Sequence, residues 1–154
     1  MQPEDVSDAM RIGLSGMELD DEISFRPVRV ALERQAALAA TRRPDESALA
    51  SMHAALQAIR VAESPDEKTR ADVDFHAALF EASGEPSLRF MYGAVRGLMD
   101  DSVARRRAQL AKNPAGLEES FRLHAEILAA VQSGDGRRSM DAVDALIAQD
   151  VESH

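Results

Sequence analysis

From Phe25 onward, apolar residues recur every three to four positions almost to the end of the chain. That is the spacing of amphipathic helices, not the alternation of strands. Chain breakers divide the pattern into six segments. The first predicted helix runs from about Phe25 to Thr41, with Leu32, Ala36 and Ala39 on one face. It stops at Arg42-Arg43-Pro44, because proline disfavours helix in the residue before it. The second runs from about Asp45 to Val61 on a stripe of Leu49, Met52, Leu56 and Ile59. The third opens on Ser64-Pro65-Asp66-Glu67, where Ser64 caps, Pro65 suits the first helical position and Glu67 completes a capping box. It carries Phe75, Ala78, Leu79 and Ala82 and ends at Ser83-Gly84. Pro86 begins a long fourth helix with Leu88, Met91, Val95, Leu98 and Ser102 on one line, reaching toward Leu110. Asn113-Pro114 separates it from a fifth, striped by Leu117, Phe121, His124, Leu128 and Val131. The turn Ser133-Gly134-Asp135-Gly136 precedes a sixth, which carries Met140, Val143, Ile147 and Val151. Residues 1–24 are polar and read as a linker or arm. Six amphipathic helices with short connections predict an all-α, antiparallel bundle of about six helices.

Composition narrows the picture. The chain has 154 residues, one domain's worth, with 45% hydrophobic and 29% charged residues. Aromatics make up only 4%, so the core has to be built from Ala, Leu, Val, Ile and Met. The absence of cysteine excludes disulfides, thiolate metal sites and cysteine nucleophiles, and fits a cytoplasmic protein. Residues 1–10 are acidic, unlike a signal peptide, and no uncharged apolar run is long enough to cross a bilayer, so no membrane partner is expected. A net charge of −9 repels a phosphate backbone, which argues against DNA binding by this chain alone. The one basic cluster, Arg105-Arg106-Arg107, points in different directions around a helix and reads as a solvated face rather than an anion site.

Candidate chemistry starts at Asp72-Val73-Asp74-Phe75-His76. Asp72 and His76 are four apart on one helix face, about 6 Å between Cβ atoms. A carboxylate and an imidazole so placed form half a site for a divalent metal. Spacing alone equally describes a surface ion pair, and by itself favours that reading. His124 shifts the balance, because it lies inside its own helix's apolar stripe, where its ring nitrogens need partners. His53 sits at the boundary of its stripe, and His154 is the last residue. Catalysis has no comparable support. There is no Glu-x-x-His of a di-iron bundle, no glycine-rich loop after a strand, and no serine flanked as an activated nucleophile. No catalytic residue is assigned, and the chain is not expected to be an enzyme.

Three segments occur together in order. They are Arg29-x-x-Leu32-Glu33 with Ala39-Ala40; Asp72-x-x-Phe75-His76-x-x-Leu79 with Ala82-Ser83-Gly84 and Leu88; and His124-x-Glu126-Ile127-Leu128-x-Ala130 with Gly134-Asp135. In this order they resemble the C-terminal effector-binding domain, the FCD domain, of FadR-subfamily GntR transcription regulators, over roughly Phe25 to Val151. The resemblance implies a helical bundle with a central pocket, a small carboxylate metabolite as effector, a homodimer, and in many members a divalent metal such as Zn or Ni held by one aspartate and three histidines. Three of those positions fall on Asp72, His76 and His124. Ungapped continuation places Leu146, which cannot coordinate, at the fourth, with Asp150 one turn later and Gln149 beside it as weak substitutes. Glu85 stands where the family often has asparagine, at a position that contacts ligand. Arg29 matches as a partner for an anionic effector, or as an i,i+4 partner of Glu33. Regulators of this family contact DNA through a winged-helix domain, which these residues do not supply. The reading is a ligand-sensing regulatory domain. Its alternatives are a degenerate structural or dimerising bundle, and a small metal-dependent hydrolase, which lacks an identifiable general base.

Overall fold

The computed structural model describes residues 2–6, 8–9 and 21–152, the side chains of 21–24 and 150–152 excepted. Between Asp21 and Glu152 it is a bundle of six helices: α1 Asp21–Arg42, α2 Glu46–Val61, α3 Pro65–Ala82, α4 Pro86–Leu110, α5 Pro114–Ser133 and α6 Gly136–Glu152. The boundaries follow the breakers in the sequence, with local reasons. Asp45 caps α2 by accepting from the Ala48 N–H at 2.9 Å. Ser64 and Glu67 form the expected capping box on α3. Asn113 caps α5 through the Gly116 N–H at 3.1 Å, and Gly134 ends that helix in the left-handed region at φ 74°. The first helix starts at Asp21, earlier than Phe25, and contains Pro27. Residues 3–6 are helical too. A Cβ on Gly93 would fall 2.6 Å from Pro3 Cβ, so glycine lets this segment approach α4.

Helix α1 runs through the middle, in contact with α3, α4, α5 and α6. The apolar core gathers Met52, Leu56 and Ile59 of α2, Phe75 and Leu79 of α3, Ile127 and Val131 of α5, and Val143, Leu146 and Ile147 of α6. Two stripes are rotated from those read in the sequence. On α1 the buried line is Arg29, Glu33, Ala36 and Ala40, while Leu32 is only partly buried. On α4 it is Tyr92, Val95, Met99, Ser102 and Arg106, while Met91 is 43% exposed. The cause is the same in both helices: charged residues occupy the inward face, so a reading that follows apolar side chains selects the neighbouring line. His53 is exposed. Among the described residues, no helix is long and apolar enough to cross a membrane.

Candidate functional site

Each helix around one end of the bundle buries polar side chains. α1 carries Arg29 and Glu33 one turn apart, α3 carries Asp72 and His76 one turn apart, α4 brings Ser102, Arg106 and Arg107, and α5 brings Ser120 and His124. Helical spacing aligns each pair, and packing of α1, α3, α4 and α5 makes the pairs converge.

Asp72 is the hub. Its Oδ1 lies 3.1 Å from His76 Nε2 and 3.0 Å from His124 Nε2. Its Oδ2 accepts from Arg107 Nε at 2.5 Å and from Arg106 at 3.3 Å. The ligand atoms of Asp72, His76 and His124 all lie within 4.8 Å of one another, and the three residues are buried. His124 Nδ1 lies 2.7 Å from the Ser120 carbonyl oxygen. A carbonyl only accepts, so this nitrogen carries the proton. His76 Nδ1 lies 3.2 Å from Glu33 Oε2, and Glu33 accepts from Arg29 Nε through its other oxygen at 3.0 Å. The oxygens beside His76 are at contact distance but outside the angular range of a directed hydrogen bond, so both its ring nitrogens and Glu33 Oε2 lack one.

The charges follow from these contacts. Burial opposes ionisation of Asp72, but the imidazoles of His124 and His76 and the Arg107 guanidinium prevail and hold its carboxyl well below the usual range. Burial likewise opposes the Glu33 charge, but His76 and Arg29 hold that carboxyl down at about 2. For His76, burial favours the neutral ring, yet Glu33 and Asp72 raise its pKa. For His124, burial wins over Asp72 and, helped by Arg106 and His76, lowers it. A neutral His124 with its proton on Nδ1 presents the lone pair of Nε2 to a carboxylate oxygen. When His76 holds its proton on Nδ1 beside Glu33, its Nε2 does the same. Two imidazole lone pairs and one carboxylate oxygen then face one another, a donor set that fits a divalent cation. Glu33 and the Ser120 carbonyl stand where outer partners of metal-bound histidines stand, fixing the tautomers.

The remaining sequence candidates are placed differently. Arg29 is 1% exposed and reaches beyond Glu33 to donate to Ser102 Oγ at 3.1 Å. Leu146 is fully buried in the apolar core and offers no ligand atom. Gln149 reaches the cluster instead: its Oε1 accepts from Arg106 at 3.0 Å and its Nε2 donates to the Gly116 carbonyl at 2.8 Å. The Asp150 side chain lies outside the described residues. Glu85 is exposed at the α4 N-cap and is not part of the buried cluster.

The expectation of a solvated arginine face is overturned for two of its three members. Arg106 and Arg107 are 1% and 5% exposed, because the neighbouring helix supplies the Asp72 carboxylate, and Ser120 Oγ accepts from Arg106 at 2.6 Å. Sequence reasoning also missed Glu33 as a partner of His76 and Ser120 as a partner of both His124 and Arg106. A signal existed for Glu33, since Arg29, Glu33, Ala36 and Ala40 follow one helical line. None existed for Arg106, whose partners come from α3, α5 and α6.

No individual curated protein matches the chain. The family comparison is clear: the model of the FCD domain matches residues 25–149, all six helices except the ends of the first and last. With four-fifths of its length matched and its Asp72–His76 pair buried against a histidine of α5, the chain belongs to the FCD domain family, the regulatory effector-binding domains of GntR transcription regulators.

Proposed function

We propose that this domain senses a small carboxylate metabolite at the Asp72–His76–His124 cluster, with a divalent metal such as Zn or Ni held by those three residues. The supporting observation is the convergence of two imidazole Nε2 atoms on one Asp72 oxygen, at 3.1 and 3.0 Å, while their Nδ1 atoms face Glu33 and the Ser120 carbonyl. A bound dication would supply a Lewis-acidic point of attachment for the effector's carboxylate. The chain's own residues favour the same ligand class. Arg29, Arg106 and Arg107 outnumber Glu33 and Asp72 in the buried cluster, so its interior carries surplus positive charge before any ligand enters. An anion is therefore the complementary guest. Three protein ligands leave a coordination position for water or effector.

In a full-length regulator the effector would act by population shift. Its preference for one arrangement of the helices around Asp72 would alter the spacing of winged-helix domains in a homodimer, in the cytoplasm. The metal-free version of this reading keeps the anion and gives it hydrogen bonds from His76 and, in its doubly protonated form, from His124, whose Nδ1–H stays on the Ser120 carbonyl. The arginine surplus favours it.

Elemental analysis of purified protein, followed by thermal-shift screening of small carboxylates with and without Zn²⁺, separates the two. Saturating Zn²⁺ at about 100 times its Kd is expected to add about 2.7 kcal/mol of stability by mass action. That gain is expected to vanish in His124→Ala. Carboxylate stabilisation that survives chelation would replace the metal reading by the metal-free one. No stabilisation by metal or carboxylate would leave the structural bundle as the better account.

A further inference from the structure

Two arginines of α4 face the same oxygen of Asp72, at unequal distances. Arg107 Nε donates to Oδ2 at 2.5 Å, whereas Arg106 Nη1 reaches it at 3.3 Å. The second distance lies beyond the usual range, about 2.7–2.9 Å, for a bond between two charged groups. The other end of the Arg106 guanidinium explains it. Its Nη2 donates to Ser120 Oγ at 2.6 Å and to Gln149 Oε1 at 3.0 Å. A guanidinium pairs most strongly with a carboxylate when two of its nitrogens face the two oxygens side by side. Here Ser120 and Gln149 hold one of those nitrogens elsewhere. Asp72 Oδ1 is thereby left to His76 Nε2 and His124 Nε2, at 3.1 and 3.0 Å. Gln149 differs from Asp72 and Ser120, which are fully buried: it is half-buried, in the last turn of α6. Its Nε2 donates to the Gly116 carbonyl at 2.8 Å, in the first turn of α5. Gly116, Ser120 and His124 lie on one line of that helix, four residues apart. The Gln149 amide therefore joins the end of α6 both to the line that carries His124 and to the arginine beside Asp72.

We propose that Gln149 is a positioning residue for the cluster: with Ser120 it draws Arg106 off Asp72, so that the carboxylate stays open to a divalent cation shared with His76 and His124. The inference rests on the metal reading given above. A guanidinium closed onto Asp72 in a fork would occupy both oxygens and bring its fixed charge against the incoming ion. Held by Gln149, it reaches only Oδ2. The end of α6 then controls cation affinity, because its hold on Arg106 sets how much of the Asp72 charge the ion meets. The control is reciprocal: a bound cation favours the arrangement in which Gln149 holds Arg106, and so steadies the last turn of α6.

The test uses the full chain, with Zn²⁺ as the probe and a second readout that needs no metal. Gln149→Leu nearly keeps the side-chain volume and removes both hydrogen bonds. Zn²⁺ binding measured by calorimetry is expected to weaken about tenfold, the scale of losing an outer partner of a metal site. Arg106→Met removes the guanidinium and leaves Arg107 on Asp72. It is expected to tighten Zn²⁺ by about threefold or more, and Gln149→Leu should have no further effect in that background. A merely structural role for Gln149 would weaken binding in every variant. In the metal-free chain, the Asp72 carboxyl ¹³C resonance should move in Gln149→Leu, and should not respond to that change once Arg106 is Met. Ser120→Ala removes the other acceptor, so it should shift both readouts in the same direction as Gln149→Leu; it carries the test if Arg106→Met does not fold. Unchanged Zn²⁺ affinity in Gln149→Leu, or a weakening that persists without the guanidinium, would overturn the proposal and leave the metal site standing. The expected Asp72 shifts in a chain that takes up no Zn²⁺ would uphold the hold on Arg106 and sink only the metal. No shift and no uptake would sink both.

Discussion

The first half of α1 and the second half bury different chemistry. Toward its N-terminus the helix places Arg29 and Glu33 against Ser102 and His76; toward its C-terminus it places Ala36, Ala37 and Ala40 in the apolar core. The same division recurs on α5, where Ser120 and His124 give way to Ile127, Leu128 and Val131. The apolar end is stabilised by area removed from water, is tolerant of shape-conserving change, and has no directional requirement. The polar end is held by a set of mutually dependent charges, each buried only because another is beside it. A domain can keep one end for stability and reserve the other for a ligand, provided that the second end is satisfied when empty. Here the arginines and carboxylates satisfy much of it, and both ring nitrogens of His76 and one Glu33 oxygen remain without a directed hydrogen bond.

That contrast can be broken most forcefully at the hub. Asp72→Ala would leave two buried guanidiniums without their carboxylate, and such breakage of buried pairs costs about 3–5 kcal/mol. Chemical denaturation should show that loss together with abolished metal uptake. A small loss would mean that Asp72 is not the hub. At the apolar end, Leu79→Ala, at a fully buried position, is expected to cost about 2–5 kcal/mol through the cavity it leaves. Its binding of Zn²⁺ or carboxylate should stay within about twofold of wild type. Equal damage to binding from this change would erase the distinction between the two ends.

The pH dependence sharpens the comparison. The folded Glu33 pKa of about 2 lies below its ordinary 4.5. Its stabilisation is therefore fully present above 4.5 and is lost as pH falls through about 2. At 1.36 kcal/mol per unit, the loss amounts to about 3 kcal/mol. Glu33→Gln should remove this segment of the acid-unfolding profile; a parallel profile in the variant would contradict the pairing with Arg29 and His76. The smallest effect belongs to an exposed pair. Arg138 binds Glu126 at 2.6 Å, but the two side chains are 42% and 35% exposed. Arg138→Ala should change stability by less than about 1 kcal/mol, within the range of solvent-screened surface pairs.

Much of the architecture was legible in the chain. Pro44, Pro65, Pro86 and Pro114, with Gly84 and Gly134, mark the helix ends, because their effects on the backbone are local and need no partner. The inward lines of α2 and α5 could be followed because their buried residues are largely apolar. Those of α1 and α4 could not, because charged residues become core residues only when opposite charges face them. Within the site, the Asp72–His76 pair was readable from its spacing and His124 from its apolar surroundings. Arg106 and Arg107 looked like a solvated run, since burial of a guanidinium depends on what the neighbouring helices contribute.

The sequence by itself determined six helices, their caps and breaks, one half-formed site at Asp72 and His76, and a single histidine, His124, in an apolar stripe, all set by interactions that span a few residues. Tertiary structure alone decided that Asp72 faces four cationic or imidazole partners at once, that Glu33 and Ser120 orient the two histidines, and that Gln149 rather than residue 146 brings α6 to the cluster. Those outcomes join residues far apart in the chain. Desolvation forbids any one of them without the others, so no local pattern could carry them.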